Sequence, residues 1–132
     1  MTMTNDSEKN YGFRFREWDI YKDARAFRNH IAKLLKSFPK DEQYIIVNQT
    51  KRALNSIILN LAEGANRGTD KDTKLFVNRA HTSLDEVVSC LDCSLDDGYI
   101  TENQHNEAFE LAASLAKRLR KFTIHLSSSS LS

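Results

Sequence analysis

The chain has 132 residues, a length that suits one domain. Apolar residues make up 40% and charged residues 28% of it, a composition that excludes an intrinsically disordered chain and an integral membrane protein. The net charge of +1 does not by itself point to nucleic acid, and one proline with four glycines favours long helices over a many-stranded sheet.

Charge is distributed unevenly along the chain. Residues 80–116 contain no Lys or Arg and eight acidic residues, whereas the remainder holds all 19 basic residues against 10 acidic ones. A protomer polarised in this way could pack acidic against basic surfaces in an oligomer, or present a basic face to a polyanion.

Residues 1–13 are predicted to form a flexible N-terminal arm. Their polar sequence lacks the apolar core of a signal peptide, and no apolar run in the chain approaches the ~20 residues that span a bilayer. The two cysteines, Cys90 and Cys93, do not suggest a disulfide framework. These features predict a soluble, cytoplasmic protein with reduced thiols and no membrane contact.

The first predicted helix covers about residues 17–37, and Pro39 stops it. Its apolar residues alternate by four and three positions, as in a heptad seam: Ile20, Ala24, Phe27, Ile31, Leu34 and Phe38. The second helix runs from about residue 41 to residue 63. Gly64 is predicted to follow it as a left-handed C′ residue.

The third predicted helix starts at a Thr69 cap and ends at Gly98. Thr101 and Gln104 form a capping box for the fourth, which extends to Leu126. Its apolar face is predicted to contain Ala108, Leu111, Leu115, Leu119, Phe122 and Leu126. Residues 127–132 are predicted to be a disordered tail. Four helices with short connections predict an all-α, antiparallel up-down-up-down four-helix bundle over residues 14–126.

Sequence motifs for catalysis or metal binding are weak. Cys90-x-x-Cys93 lies well inside a predicted helix, whereas redox pairs usually open a helix after a strand. A zinc site would need two further ligands, and only one Glu-x-x-His pair occurs, at Glu102 and His105. Phosphate-loop, nucleophile-elbow and zinc-protease motifs are also lacking. The sequence therefore predicts no enzymatic activity, no metal and no cofactor.

A regular polar stripe runs along the second helix. Its members are Gln49, Arg52, Ser56, Asn60 and Glu63. Residues at such spacings share one side of a helix. The stripe could be solvated, could form a buried network in which Arg52 reaches Glu86 on the third helix, or could be a surface between protomers. We favour a combination of the last two, with pairing of any buried charge.

Three basic groupings could contact phosphates: the outer face of the first helix, residues 117–121, and a set around the second connection. That last set comprises Lys51, Arg52, Arg67, Lys71, Lys74 and Arg79. Each grouping could equally be a solvated face. As a binding surface, the third set would contact RNA or DNA phosphates with little sequence preference. Aromatic residues of the N-terminal segment are expected to fold back on the bundle or on a neighbouring chain.

Two segments, residues 49–67 and 80–86, contain residues that fit a sequence motif of a known protein family. The matching residues are Gln49, Arg52, Ala53, Ser56, Ile57, Asn60, Ala62, Glu63, Gly64 and Arg67, followed by Ala80, Ser83 and Glu86. Trp18, Phe38-Pro39 and the Gly98-Tyr99-Ile100 turn also fit. With this pattern, residues 13–126 resemble the bacterial four-helix-bundle proteins encoded in intervening sequences of 23S ribosomal RNA genes. One departure is His81, where that family often has glycine.

The resemblance implies an antiparallel four-helix bundle, a ring-shaped homopentamer and no enzymatic activity. The chain is also similar to the accessory protein of diversity-generating retroelements, a pentameric barrel that binds a reverse transcriptase and nucleic acid. Our first hypothesis is accordingly a homopentamer that binds structured RNA, alone or with a partner protein. The second is an assembly adaptor without nucleic-acid affinity, and a third is a small-ligand or metal-binding bundle.

Overall fold

The computed structural model describes residues 11–131, apart from the side chains of residues 42–44 and 127–131. Four long helices account for most of the described chain, which contains no strand. Helix α1 spans Asp19–Leu35, α2 spans Asn48–Ala65, α3 spans Asp70–Asp96 and α4 spans Glu102–Leu131. The prediction of an all-α protein with four helices is confirmed.

Short irregular turns precede the first two long helices. A 3₁₀ turn at Arg14–Glu17 leads into α1, and a 3₁₀ turn at Lys40–Glu42 with a π-helical segment at Gln43–Val47 leads into α2. The sequence predicts regular helix from residue 41, which is wrong for these residues. The π-helical segment contains three consecutive β-branched residues, and such side chains crowd the preceding turn of a regular α-helix.

The helices pack as a bundle around one apolar core. Helix α2 packs on α3, α3 packs on α4, and α1 contacts both α2 and α4. The largest fully buried side chains come from all four helices and include Ile31, Leu54, Ile57, Leu84, Leu91 and Leu119. Burial of such side chains is the main source of stability for a bundle of this size.

Two predicted core positions are shifted along their helices. In α1 the buried residue is Leu35, and the predicted Leu34 is only partly buried. In α4 Ala112 is buried while the predicted Leu111 is 38% exposed. Both leucines lie at the margin of an apolar stripe, where spacing alone leaves two neighbouring positions nearly equivalent.

Gly98 ends α3 as the sequence predicts. Its φ is +78°, in the left-handed region. The N–H groups of Gly98 and Tyr99 donate to the carbonyls of Leu95 at 3.0 Å and Ser94 at 2.9 Å. These two bonds form a Schellman motif, which satisfies carbonyls left open at the helix end.

Gly64 has a different role from the predicted one. Helix α2 includes Gly64 and continues to Ala65, and among the glycines from residue 11 onward only Gly12 and Gly98 have positive φ. A Cβ at Gly64 would lie 2.9 Å from the Cβ of Phe76 and 3.3 Å from the carbonyl oxygen of Thr73. The prediction of a left-handed Gly64 is therefore wrong, because this glycine permits close approach of α2 and α3 instead.

The predicted arm and tail are only partly described. Residues 1–10 of the arm lie outside the described residues. The backbone of α4 continues as helix to Leu131, beyond the predicted end at Leu126, and serine is a tolerated though not strong helix former. The domain boundaries at residues 13 and 126 stay a prediction. None of the described helices combines the length and apolar composition of a membrane span.

Candidate nucleic-acid interface

The site begins at the junction of α2 and α3, where Gly64 lies against Thr73 and Phe76. Below the Gly64–Phe76 contact, the buried Thr73 hydroxyl donates to the carbonyl of Gly64 at 2.8 Å. The N–H of Asp72 donates to the Thr69 side chain at 3.2 Å, which confirms Thr69 as the cap of α3. These bonds and the close contact fix the position of Phe76 relative to the connection between the helices.

Two arginines lie over the ring of Phe76. The Cζ atom of Arg67 is 4.3 Å from the ring centroid, and that of Arg79 is 4.8 Å from it. Both distances are within the range of a cation–π interaction. Phe76 itself is only 8% exposed, so the arginine side chains cover it. The outer surfaces of the arginines remain accessible, since the Arg67 side chain is 43% exposed and Arg79 is also exposed.

The charge around this pair is modest. Arg67 also lies 3.9 Å from the carboxylate of Glu63, at an exposed position where such a pair contributes little stability. Residues 63–79 hold four basic and three acidic residues, a net charge of +1. Lys71 is exposed and Lys74 is half-buried, and within the described chain no carboxylate lies within 4 Å of Lys71, Lys74 or Arg79. These cations are therefore available to a ligand.

The structure does not bring Lys51 and Arg52 to this junction. Both are exposed near the start of α2. At ~1.5 Å per residue, the helix rises by about 21 Å between Lys51 and its end at Ala65. The six predicted basic residues therefore fall into two groups, one at each end of α2.

The other two basic groupings are partly engaged within the protein. Arg118 pairs with Asp23, which joins α4 to α1. On α1, the Arg28 guanidinium donates to Asn55 at 3.1 Å and to Asn29 at 3.0 Å, and Arg25 lies 5.9 Å from the centroid of Tyr21. The lysines of both groupings remain exposed, and the junction of α2 and α3 differs from them in that two of its arginines lie over one aromatic ring.

The polar stripe on α2 divides into an inner and an outer part. Ser56 and Asn60 are half-buried, and the Ser83 hydroxyl of α3 donates to Ser56 Oγ at 2.9 Å. The amide of Asn60 donates to the Ser56 carbonyl at 2.8 Å and to its hydroxyl at 3.1 Å. The inner part is thus a small network between α2 and α3. It joins Ser56, Asn60 and Ser83 and does not include the predicted pair of Arg52 and Glu86.

The outer part of the stripe is exposed. Gln49, Arg52 and Glu63 face solvent, and no ion pair within 4 Å joins Arg52 to Glu86 in the described part of the chain. Two large apolar side chains share this side of α2 or its extension: Leu59 is 62% exposed and Ile45 is 74% exposed. Mixed polar and apolar exposure of this kind is typical of protein–protein surfaces.

The N-terminal aromatic residues have two different environments. The ring of Trp18 packs on Phe122 with centroids 5.0 Å apart, and that of Phe15 packs on Tyr21 at 5.0 Å, so both fold back on the bundle. Phe13 remains 59% exposed beside an open cleft of about 760 Å³ between this segment and the end of α2. Arg67 also lines that cleft.

The cysteine pair and the histidines form no joint site. Cys90 is buried and Cys93 is exposed, and burial raises the pKa of the Cys90 thiol. His105 contacts Asp92 at 2.7 Å and links α4 to α3. Among the side chains that the structure describes, no group of three or more His, Cys, Asp or Glu is arranged to hold a metal ion.

Phe76 is the site residue that sequence reasoning missed. It is not among the residues predicted to bind nucleic acid or to form the polar stripe. Its spacing of three from Arg79 was the available signal, because residues at i and i+3 are neighbours on a helix. The contribution of Arg67 carried no such signal, since it depends on how the connection folds over α3.

Comparison with protein-family models finds a match over most of the chain. The family model described as 23S rRNA-intervening sequence protein matches residues 16–121, which cover all of α1, α2 and α3 and most of α4. A search of curated proteins finds no significant match.

Proposed function

This chain belongs to the 23S rRNA-intervening sequence protein family, and we propose that it is a non-enzymatic helical-bundle protein that binds structured RNA or another nucleic acid. The observation that carries the proposal is the pair of exposed arginines anchored on Phe76 at the α2–α3 junction. Arginine is well suited to phosphate contact because its planar, permanently charged group can donate two parallel hydrogen bonds.

Lys71 and Lys74 extend the same surface. Lysine contacts phosphate as a compact point charge, and together with the arginines it would displace counterions from the nucleic-acid backbone. Lys51 and Arg52 form a separate basic patch at the far end of α2, so a long or folded nucleic acid would be needed to contact both groups at once. This separation favours a structured RNA over a short oligonucleotide.

The test is fluorescence anisotropy of a labelled structured RNA and a DNA duplex, titrated from low to physiological salt. Arg67→Glu with Lys74→Glu should weaken RNA binding by at least tenfold and reduce the salt slope, because each lost phosphate contact removes about one unit from it. Lys33→Glu with Lys36→Glu, two exposed positions in the last turn of α1 and just after it, is the matched control, with the same change in net charge. Equal weakening by both pairs would contradict the assignment of the site.

In this proposal the four helices run up-down-up-down, each antiparallel to the next. The cross-helix contacts support that topology. Asp23 and His30 of α1 contact Arg118 and Glu107 of α4, so the chain numbers rise along one helix as they fall along the other. The connections of α2 to α3 and of α3 to α4 are also short.

The protein also assembles, in this proposal, into a ring-shaped homopentamer. Three features support self-association: the exposed polar and apolar face of α2, the charge polarity between residues 80–116 and the rest of the chain, and family membership. Acidic and basic surfaces of neighbouring protomers could then meet head to tail, as a closed ring requires. The cytoplasmic location stays a prediction from the sequence.

A protein adaptor without nucleic-acid affinity is the second candidate, with a nucleic-acid enzyme such as a reverse transcriptase as its partner. It is favoured by exposed apolar side chains on α4, where Phe109 is 48% and Ile124 is 59% exposed. Failure of the wild-type protein to bind either nucleic acid at low salt would select this alternative.

A further inference from the structure

The Arg67–Phe76–Arg79 cluster has the form of a stacking platform. The Cζ atoms of Arg67 and Arg79 lie 4.3 Å and 4.8 Å from the centroid of the Phe76 ring, so the ring contacts both guanidinium groups. The ring limits the conformations of both side chains, so less freedom is lost when a ligand binds to them. A guanidinium group is planar. Its face can stack on an aromatic ring or a base, and the N–H groups at its edge can donate hydrogen bonds.

We propose that this cluster binds an unpaired nucleotide, with the base stacked on an arginine and the neighbouring phosphate held by the guanidinium edges. This inference rests on the proposed nucleic-acid function and deepens it by naming the substrate class: RNA with unpaired, splayed bases in a loop or bulge. Recognition of unpaired RNA commonly uses stacking of such bases on aromatic rings or guanidinium planes.

The weak charge of the site supports this assignment over a purely electrostatic one. Residues 63–79 carry a net charge of only +1, since Glu63, Asp70 and Asp72 offset most of the basic residues. A uniform duplex offers only its phosphate backbone to such a surface, and the nearby carboxylates repel it. An unpaired nucleotide also offers a base face, which adds an attraction that does not depend on net charge.

Phe76 acts in this site as a positioning residue. It is 8% exposed, so it does not present a stacking surface of its own. Its ring is held by the close approach of Gly64 at its Cβ, and the arginines rest on that ring. Arg67 comes from the connection and Arg79 from α3, so the ring contacts arginines from two different elements.

The test compares two RNAs of equal length and phosphate number, one fully paired and one with an unpaired adenine bulge. The wild-type protein should prefer the bulged RNA by about tenfold, the scale of one stacked base. Arg67→Lys with Arg79→Lys keeps both charges and removes both planes. It should abolish the preference while changing duplex affinity less than about twofold and leaving the salt slope unaltered.

Arg16→Lys is the matched control, because Arg16 is an exposed arginine outside the proposed binding residues that lies over no aromatic ring among the described residues. It should keep the preference. Phe76→Leu should lose it with both arginines in place, provided that its helical circular dichroism matches the wild type. Retention of the preference in the double lysine variant would overturn the inference.

The outcomes separate the two proposals. Equal affinity of the wild-type protein for both RNAs, with a steep salt slope, would overturn the stacking site and leave nucleic-acid binding standing. Absence of binding to both RNAs at low salt would remove the proposed function, and the stacking site with it.

Discussion

Gly64 sets how closely α2 and α3 approach at their shared end. Gly64→Ala should lower the free energy of unfolding by about 1 kcal/mol, because overpacking of ~1–3 kcal/mol at the 2.9 Å contact with Phe76 outweighs the better helix propensity of alanine, ~1 kcal/mol. Urea denaturation measures the difference. Gly68→Ala is the control, since a Cβ there meets nothing within 4 Å, and it should be neutral or slightly stabilising. A Gly64→Ala variant more stable than the wild type would contradict the tight contact.

The two cysteines, three residues apart on α3, should differ strongly in reactivity. Cys93 is exposed, whereas burial shields Cys90 and raises its thiol pKa, so less of the reactive thiolate forms. A disulfide reagent at pH 8 should therefore modify one thiol rapidly and the second only when the protein unfolds. Cys93→Ser should remove the rapid phase.

Because the pKa of Cys90 is raised in the folded protein, the stability contributed by the neutral thiol is present below the pKa of the unfolded thiol and is lost as pH rises through the pKa of the folded one.

The start of α4 depends on a reciprocal cap between Thr101 and Gln104. The Gln104 N–H donates to the Thr101 hydroxyl at 3.1 Å, and the Thr101 N–H donates to the Gln104 side chain at 2.9 Å. Thr101→Ala should lower the free energy of unfolding by about 1 kcal/mol, within the usual range for a lost N-cap. Thr82→Ala, an exposed mid-helix change that removes only a bond to its own helix, should be neutral in the same thermal melts. Equal effects of the two changes would count against the cap.

The helices were predictable because their signals are local. The spacing of apolar residues, the caps at Thr69 and Thr101 and the Gly98 stop all act within a few positions of the chain, and the structure has each of them. The roles of Gly64 and Phe76 were not predictable in this way. They arise from how two helices pack against each other, and the same glycine that fits a helix end in sequence also fits a close crossing.

The same limit applies to the candidate site. Six basic residues were predicted as one surface from their proximity along two helices, yet the length of α2 separates Lys51 and Arg52 from the junction. A contact between the polar stripe of α2 and helix α3 was also predicted, for Arg52 with Glu86. The structure has such a contact between Ser56 and Ser83 instead. Periodicity identifies which side of a helix a residue occupies, whereas pairing across helices depends on their relative height in the bundle.

For the molecule as a whole, we predict self-association through the exposed face of α2. A stable isolated protomer would leave Leu59 62% exposed beside the polar stripe, and apolar area of this kind favours burial against another chain. Light scattering of the wild-type protein should give about five times the chain mass of 15.1 kDa. Leu59→Glu should shift the protein to smaller species, because a charge buried without a partner is costly. Ile124→Glu is the matched control at 59% exposure on α4, and it should keep the wild-type mass. An unchanged mass for Leu59→Glu would exclude this face of α2 as the interface, and a monomeric wild type would exclude the ring.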